Sequence, residues 1–194
     1  MATLLTLASS SPRRKQLLEM LGIMVEVRPS HIPEELREGE QPVEYSTRLA
    51  REKALSIPGH LVLGADTIVV LAGAILEKPA DEPHALEILR QLQGRTHQVI
   101  TSVALAASGT VRVATDITDV TFRPADDETL RRYIATGEPM DKAGAYGIQG
   151  YGAPLIERVE GDFFGVMGLP IRLVLDLLRE AGYVYTFTAG LKRG

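Results

Sequence analysis

Cysteine and tryptophan are absent from this chain of 194 residues, and aromatic residues make up only 5% of it. The absence of cysteine excludes a disulfide framework, a thiolate metal site and a cysteine nucleophile. No stretch approaches the roughly 18 consecutive apolar residues of a membrane span. The short apolar run near the N-terminus has no basic residues before it, unlike a signal peptide. We therefore predict a cytoplasmic protein that does not act at a membrane.

Several catalytic motifs are missing as well. The chain has neither a G-x-x-x-x-G-K-[ST] loop nor a G-x-G-x-x-G turn after a strand, which argues against a P-loop or dinucleotide fold. It has no G-x-S-x-G nucleophile elbow, and its four histidines show no metal-ligand spacing. What remains is carboxylates with basic residues, a set that suits oxygen-bound Mg²⁺ or Mn²⁺ and phosphate groups. The net charge of −4 argues against a nucleic-acid partner.

Apolar runs, caps and turn residues predict a mixed α/β protein. Strands are predicted over residues 3–8, 23–27, 61–71, 97–106 and 111–121, with a further strand near 154–159. Helices are predicted to begin at Pro12 and Pro170, to run from Pro42 to about Ser56, and to follow the caps Asp81 and Asp126. The strands around "ASGT" form a long antiparallel hairpin signal. We find no internal repeat or linker and predict a single domain over residues 1–194.

The stretch "LASSSPRR" at residues 7–14 places two arginines at the start of a predicted helix. Ser11 suits the N-cap and Pro12 the first helical position. The free backbone N–H groups of a helix start, the hydroxyls of Ser9 and its neighbours, and the guanidinium groups of Arg13 and Arg14 together suit phosphate oxygens. The alternative is that Ser11 only caps the helix and the arginines are solvated.

Asp66 lies inside the apolar run "LVLGADTIVVL". A buried carboxylate is costly unless it has a cation, a metal or a chemical task. The alternative is an aspartate in a turn between two strands. Lys53 and Lys78 do not stand out by pattern alone: the first fits a charged helix face, and the second fits an exposed loop.

The segment "MDKAGAYGIQGYG" is rich in glycine, which would let the backbone approach a ligand closely. Lys142 and Gln149 supply polar groups there, and the Gln149 amide can both donate to and accept from a base edge. A glycine-rich hairpin without a ligand is the alternative.

Taken in order, the segments "LASSSPRRKQLLEMLG", "RLAREKA", "LGADTIVV", "LEKPAD", "THQVITSVAL", "TDVTF" and "EPMDKAGAYGIQGYGA" resemble the Maf family over about residues 4–182. That resemblance implies nucleotide pyrophosphatases, which cut a nucleoside triphosphate to the monophosphate and pyrophosphate with a divalent metal. It also implies an elongated mixed sheet with flanking helices, two lobes around a cleft and similarity to inosine triphosphate pyrophosphatases. A homodimer and a link to septum inhibition in cell division are further implications.

The resemblance assigns roles to individual residues. It implies Asp66 as proton acceptor for the attacking water, with Glu34, Lys53 and Lys78 as the other catalytic residues. Glu34 and Asp66 are implied to hold Mg²⁺ or Mn²⁺. The implied substrate-binding residues are Ser9, Arg13, Arg14, Thr67, Lys142 and Gln149.

Three positions separate substrate branches within the family. Arg13, Thr67 and Gln149 resemble the dTTP/UTP branch, whereas the branch acting on 7-methyl-GTP typically carries Trp, Gln and Glu there. The chain departs from the family at "HIPE", where acidic residues often precede Glu34; His31 and Pro33 stand in their place. Metal binding from that loop would then depend on Glu34 alone. The alternatives are a house-cleaning pyrophosphatase for modified nucleotides and a non-catalytic nucleotide sensor.

Overall fold

The structure is a computed structural model that describes residues 3–194. Its helices are α1 (Pro12–Met20), α2 (Pro42–Ser56), α3 (Glu82–Leu92), α4 (Asp127–Ile134), α5 (Phe163–Val166) and α6 (Ile171–Glu180). Its strands are β1 (Leu5–Leu7), β2 (Val25–Val27), β3 (Leu61–Leu71), β4 (Ala74–Leu76), β5 (Thr96–Ala107), β6 (Thr110–Phe122), β7 (Ile156–Glu160), β8 (Tyr183–Thr186) and β9 (Gly190–Arg193). Short 3-10 turns cover Glu138–Asp141, Ala143–Ala145 and Gly150–Leu155. The mixed α/β class predicted from the sequence is confirmed.

One sheet has the strand order β2-β1-β3-β5-β6-β7, with β4 paired to β3. Strand β1 runs parallel to both β2 and β3, whereas β4 is antiparallel to β3 and β7 is antiparallel to β6. The last two strands form a separate antiparallel pair. In β3 every residue but Thr67 is buried, which explains why its sequence is a nearly continuous apolar run.

The chain divides into two compact units. Unit 1 comprises residues 1–66, 101–116 and 168–194, and unit 2 comprises residues 67–100 and 117–167. The core of unit 1 includes the fully buried side chains of Leu5, Leu7, Leu18, Leu49 and Leu63. The core of unit 2 packs α3 and α4 with aromatic side chains that include Phe122, Tyr133 and Tyr146.

Most predicted elements match the structure closely. The bounds of α2 and β3 are as predicted, and the side chains of Ser11, Asp81 and Asp126 cap α1, α3 and α4. Strand β1 is shorter than the predicted 3–8, and the sequence did not predict α5 or the pair β8–β9. Residues 1 and 2 of the predicted domain lie outside the described residues. Among the helices of the described residues, none combines the length and apolar content needed to cross a membrane.

Candidate active site

The N-terminal turn of α1 has the capped geometry that the sequence predicts. The Ser11 hydroxyl oxygen accepts a hydrogen bond from the Arg14 backbone N–H at 3.5 Å, and Pro12 occupies the first turn. The buried Ser9 hydroxyl oxygen accepts from the Ser11 backbone N–H at 3.2 Å. The serines therefore order the turn, and Arg13 lies on it half-buried.

The guanidinium group of Arg14 is hydrogen-bonded to main-chain and side-chain groups of unit 1. Its Nε donates to the Gly168 carbonyl at 2.8 Å, and its Nη1 donates to the Ala65 carbonyl at 2.9 Å and to Ser9 Oγ at 3.0 Å. Burial lowers the pKa of this guanidinium, while the negative charges of Asp66 and Glu34 act in the opposite direction. Arg14 thus connects the predicted phosphate turn to the residue that precedes Asp66.

A lysine held between two carboxylates forms the centre of the site in unit 1. Lys53 Nζ lies 2.7 Å from Asp66 Oδ1 and 2.8 Å from Glu34 Oε1. The side chains of Lys53 and Asp66 are only 8% and 6% exposed, whereas that of Glu34 is 50% exposed. Three residues implied by the resemblance are therefore in direct contact. The interpretations of Lys53 as part of a charged surface and of Asp66 as a turn residue are both wrong.

Helix α2 and strand β3 meet closely enough to make this contact because Gly64 has no side chain. A Cβ atom at Gly64 would lie 2.3 Å from the Ala50 carbonyl oxygen and 2.5 Å from the Ala54 backbone nitrogen. Ser46 adds a buried link, with its hydroxyl donating to the Asp66 carbonyl at 3.5 Å. Close helix–strand packing thus sets the distance between Lys53 and Asp66.

The loop carrying Glu34 is held by two side chains of α2 that sequence reasoning missed. The Tyr45 hydroxyl donates to the Glu34 carbonyl at 2.9 Å. Arg48 donates to the Glu35 carbonyl at 3.0 Å and forms a two-pronged ion pair with Glu40 at 2.6 and 2.7 Å. The hydrogen bond from Arg48 lowers the pKa of Glu40 to about 2. Tyr45 and Arg48 lie one turn apart on α2, but that spacing does not indicate their main-chain partners in the loop.

One carboxylate oxygen of the site, Asp66 Oδ2, is a candidate metal ligand. Asp66 Oδ2 is buried and has no hydrogen-bond partner among the described residues. Those residues contain no group of three or more His, Cys, Asp or Glu side chains that could hold a metal ion. Mg²⁺ is often bound by only one or two carboxylates together with substrate phosphates. Asp66 and Glu34 supply the two carboxylates of such a site.

The remaining polar candidates lie in unit 2. Lys142 Nζ donates to the Asp141 carboxylate at 2.6 Å and also contacts the Glu138 carbonyl oxygen. Lys78 is exposed just after β4, and Gly144 N–H donates to the carbonyl of its neighbour Glu77 at 3.2 Å. The segment carrying Lys78 is therefore bonded to the glycine-rich loop that follows Lys142.

Gln149 lies in this loop with an exposed side chain, and Thr67 is half-buried on β3. The loop is bonded to the Glu138 carboxylate and the Tyr133 hydroxyl, neither of which the sequence singled out. Glu138 begins the segment "EPMDKAGAYGIQGYGA", but the sequence assigned no role to it or to Tyr133, because their partners are main-chain groups that only the folded loop brings near.

A buried histidine supports the same loop from its N-terminal side. His97 Nε2 and the Tyr146 hydroxyl are hydrogen-bonded at 2.7 Å, and both rings pack edge-on against Phe122. Burial lowers the pKa of His97 to about 4 and raises that of Tyr146. His97 is thus neutral in the core at neutral pH.

Fold and geometry together describe a mixed α/β protein in which a buried lysine joins two carboxylates near a helix start that carries two arginines. Comparison with known proteins adds the family. The family model described as Maf-like protein matches residues 4–181. The chain therefore belongs to the Maf family, as its motifs indicated.

Curated relatives named dTTP/UTP pyrophosphatase are similar over most of their length. The protein of Koribacter versatilis (strain Ellin345) is 48% identical over 182 residues, covering 92% of this chain and 94% of the relative. That of Escherichia coli O6:K15:H31 (strain 536 / UPEC) is 49% identical over 181 residues, covering 91% and 92%. That of Aquifex aeolicus (strain VF5) is 47% identical over 178 residues, covering 90% and 93%.

Proposed function

We propose that this protein hydrolyses dTTP and UTP to the nucleoside monophosphate and pyrophosphate. Relatives at 47–49% identity carry the name dTTP/UTP pyrophosphatase. The observation in this chain that carries the proposal is the Asp66 carboxylate, which is buried, paired with Lys53 through one oxygen and without a hydrogen-bond partner among the described residues at the other. A buried acceptor of this kind has a chemical use that a solvated surface carboxylate lacks.

The cationic groups suit a triphosphate. Arg13 on the α1 turn and Lys53 beside Asp66 would offset phosphate charge, while Arg14 keeps the turn against the residue preceding Asp66. Positioning and charge stabilisation supply most of the rate in phosphoryl transfer chemistry. The role of the basic residues is thus to bind and orient the phosphates.

Asp66 would accept the proton of the water that attacks the α-phosphorus. Its Oδ1 is held by the Lys53 ammonium group, which fixes the carboxylate, and its Oδ2 can accept a hydrogen bond from that water. Glu34 shares the same lysine and stays half exposed, in reach of solvent and ligand.

Mg²⁺ or Mn²⁺ would be held by Asp66 and Glu34 together with phosphate oxygens, in keeping with the oxygen ligands that these cations prefer. When bound, the metal would neutralise phosphate charge and polarise the phosphoryl oxygens. Thr67 and Gln149 would contact the pyrimidine base, and Lys78 and Lys142 would supply further positive charge.

The test is a nucleotide panel with Mg²⁺ or Mn²⁺ in which pyrophosphate and orthophosphate are measured separately. We expect pyrophosphate from dTTP and UTP and little product from purine nucleotides. Orthophosphate as the first product would contradict cleavage between the α- and β-phosphates. Preference for modified nucleotides would favour a house-cleaning enzyme, and tight binding without turnover would favour a nucleotide sensor.

Two wider implications of the resemblance stay predictions. A homodimer would be seen as a doubled mass by light scattering at micromolar concentration. A role in septum inhibition would be seen as filamentous cells on overproduction of the active protein, with an Asp66→Asn variant as the control.

A further inference from the structure

One carboxylate holds the loop that contains Gln149. Glu138 Oε1 accepts from the Gly152 backbone N–H at 2.9 Å, and Oε2 accepts from the Tyr151 backbone N–H at 2.9 Å. Within the described residues no lysine or arginine side chain forms an ion pair with this carboxylate. Its charge is offset by main-chain donors, and hydrogen bonds to a charged acceptor are stronger than neutral ones.

Tyr133 extends the same anchor to the other side of Gln149. Its hydroxyl donates to Glu138 Oε1 at 2.9 Å and accepts from the Gly147 backbone N–H at 3.0 Å. Tyr133 is 5% exposed, and burial raises the pKa of its hydroxyl, so the hydroxyl remains a donor at neutral pH. Gln149 is thus flanked by anchored amides two residues before it and two residues after it.

Gly150 and Gly152 pack closely against this anchor, so a side chain at either position would collide with it. A Cβ at Gly150, whose φ is +72°, would lie 2.3 Å from Glu138 Oε2. A Cβ at Gly152 would lie 2.3 Å from the Gly147 carbonyl oxygen and 2.8 Å from the Tyr133 hydroxyl. The loop is therefore closed around the Glu138 carboxylate.

We propose that Glu138, acting with Tyr133, is a positioning residue for base selection, because it fixes the main chain on both sides of the exposed Gln149. This inference rests on the proposed function, in which the Gln149 amide contacts the pyrimidine base. Glu138 itself need not touch the nucleotide. A glutamine amide on a loop free to move would meet many base edges, whereas a fixed amide discriminates between them.

The experiment compares Glu138→Gln and Tyr133→Phe with the wild type. A glutamine side chain can accept through only one of its two terminal atoms, so one main-chain donor loses its partner. Glu128→Gln is the matched control, since Glu128 is an exposed residue of α4 that pairs with Arg132. We expect KM for dTTP to rise by about 10-fold or more in both loop variants, with kcat changed less than about 3-fold, as for loss of a charge-assisted hydrogen bond.

Three further readouts separate positioning from general damage. The ratio of kcat/KM for dTTP to kcat/KM for GTP should fall in Glu138→Gln toward the value measured for Gln149→Ala. In the double variant, adding Glu138→Gln to Gln149→Ala should cause little further loss of this selectivity. Hydrogen exchange of the Tyr151 and Gly152 amides should accelerate in Glu138→Gln without any nucleotide present. Unchanged exchange, or fully additive losses in the double variant, would overturn the proposal. A wild-type protein that is inactive on every nucleotide would instead overturn the proposed function, with the exchange result still deciding the anchor.

Discussion

Two regions of this protein hold functional groups in place by opposite means. In unit 1, Lys53 on a 15-residue helix and Asp66 on an 11-residue strand are joined side chain to side chain. In unit 2, the loop around Gln149 has no regular helix or strand of that length and is held through its main chain by Glu138. Lys53 and Asp66 lie on long regular elements in the first region, whereas main-chain amides surround a single acceptor in the second.

The difference suggests a division of tasks. Proton transfer and charge stabilisation need side chains fixed to within a fraction of an ångström, which long packed elements provide. Recognition of a base needs a defined loop that can still admit a ligand. Substitutions in the first region should therefore lower kcat, whereas substitutions in the second should raise KM and weaken selectivity.

Asp66→Asn is the sharpest test of that division and should have the largest effect. The variant keeps the shape of the side chain but removes the charge that pairs with Lys53 and that, in the proposed function, accepts the proton. We expect kcat to fall by about 10³-fold, the middle of the range for loss of a general base, with nucleotide binding largely retained. Steady-state pyrophosphate release and calorimetric titration would measure the two quantities. Near-normal turnover would remove Asp66 from the chemistry.

His97→Phe tests whether the core under the unit 2 loop is sensitive to acid. The pKa of His97 is lowered to about 4 from 6.5, so the unfolded chain binds the proton more readily than the folded protein. The wild type should lose stability as the pH falls from about 6.5 to 4, by roughly 2–3 kcal/mol. His97→Phe should flatten the free energy of unfolding over that window in urea titrations. The exposed His60→Phe serves as control, and an equal flattening there would contradict the assignment.

Gly64→Ala asks whether the spacing of α2 and β3 sets the site in unit 1. The added methyl group would meet backbone atoms of Ala50 and Ala54 at 2.3 and 2.5 Å. We expect a loss of about 1–3 kcal/mol in the free energy of unfolding, with a fall in kcat as Lys53 and Asp66 separate. Gly194→Ala, where the nearest side-chain atom lies at 3.4 Å, should leave both quantities unchanged.

Arg48→Lys should have a smaller effect, because it acts only through the loop that carries Glu34. A lysine cannot reproduce the two-pronged pair with Glu40 together with the bond to the Glu35 carbonyl. We expect kcat/KM to fall by about 10-fold, as for loss of a residue that orients a ligand-binding group. Arg37→Lys alters an exposed pair with Glu52 and should be silent.

The ion pair between Arg48 and Glu40 predicts a second pH effect. The pKa of His97 is lowered by burial, whereas the pKa of Glu40 is lowered by a neighbouring cation. The pKa of Glu40 is lowered from 4.5 to about 2 by Arg48, so its contribution to stability is present above about pH 4.5 and is lost as the pH falls through about 2. Glu40→Gln should remove that part of the acid dependence in thermal melts between pH 5 and 2. An unchanged melting profile would show that the ionised pair does not contribute to stability.

Much of the fold could be predicted from local signals. Ser11, Asp81 and Asp126 mark helix starts because a side-chain cap is a contact within four residues. The apolar run of β3 predicted a buried strand because nearly all of it is buried. Helix α5 and the pair β8–β9, each of four residues, were not predicted.

The site was less accessible to sequence reasoning. Lys53 looks like one more charge on a polar helix, and only the approach of β3 at Gly64 turns it toward a buried carboxylate. Its inclusion among the site residues came from the family resemblance. Glu138 and Arg48 bind main-chain carbonyls or amides far along the chain, and such partners leave no pattern in the sequence.

The bond from Arg14 to the Gly168 carbonyl has a consequence for biosynthesis. Unit 1 is assembled from three stretches of chain, the last of which begins at residue 168, whereas unit 2 is complete at residue 167. A ribosome that has just released residue 167 has therefore supplied all of unit 2 but not the carbonyl that Arg14 needs, nor helix α6. The growing chain can therefore finish the loop that holds Gln149 before it can complete the hydrogen bonds of Arg14 to Ala65 and Gly168, so the nascent protein completes unit 1 last.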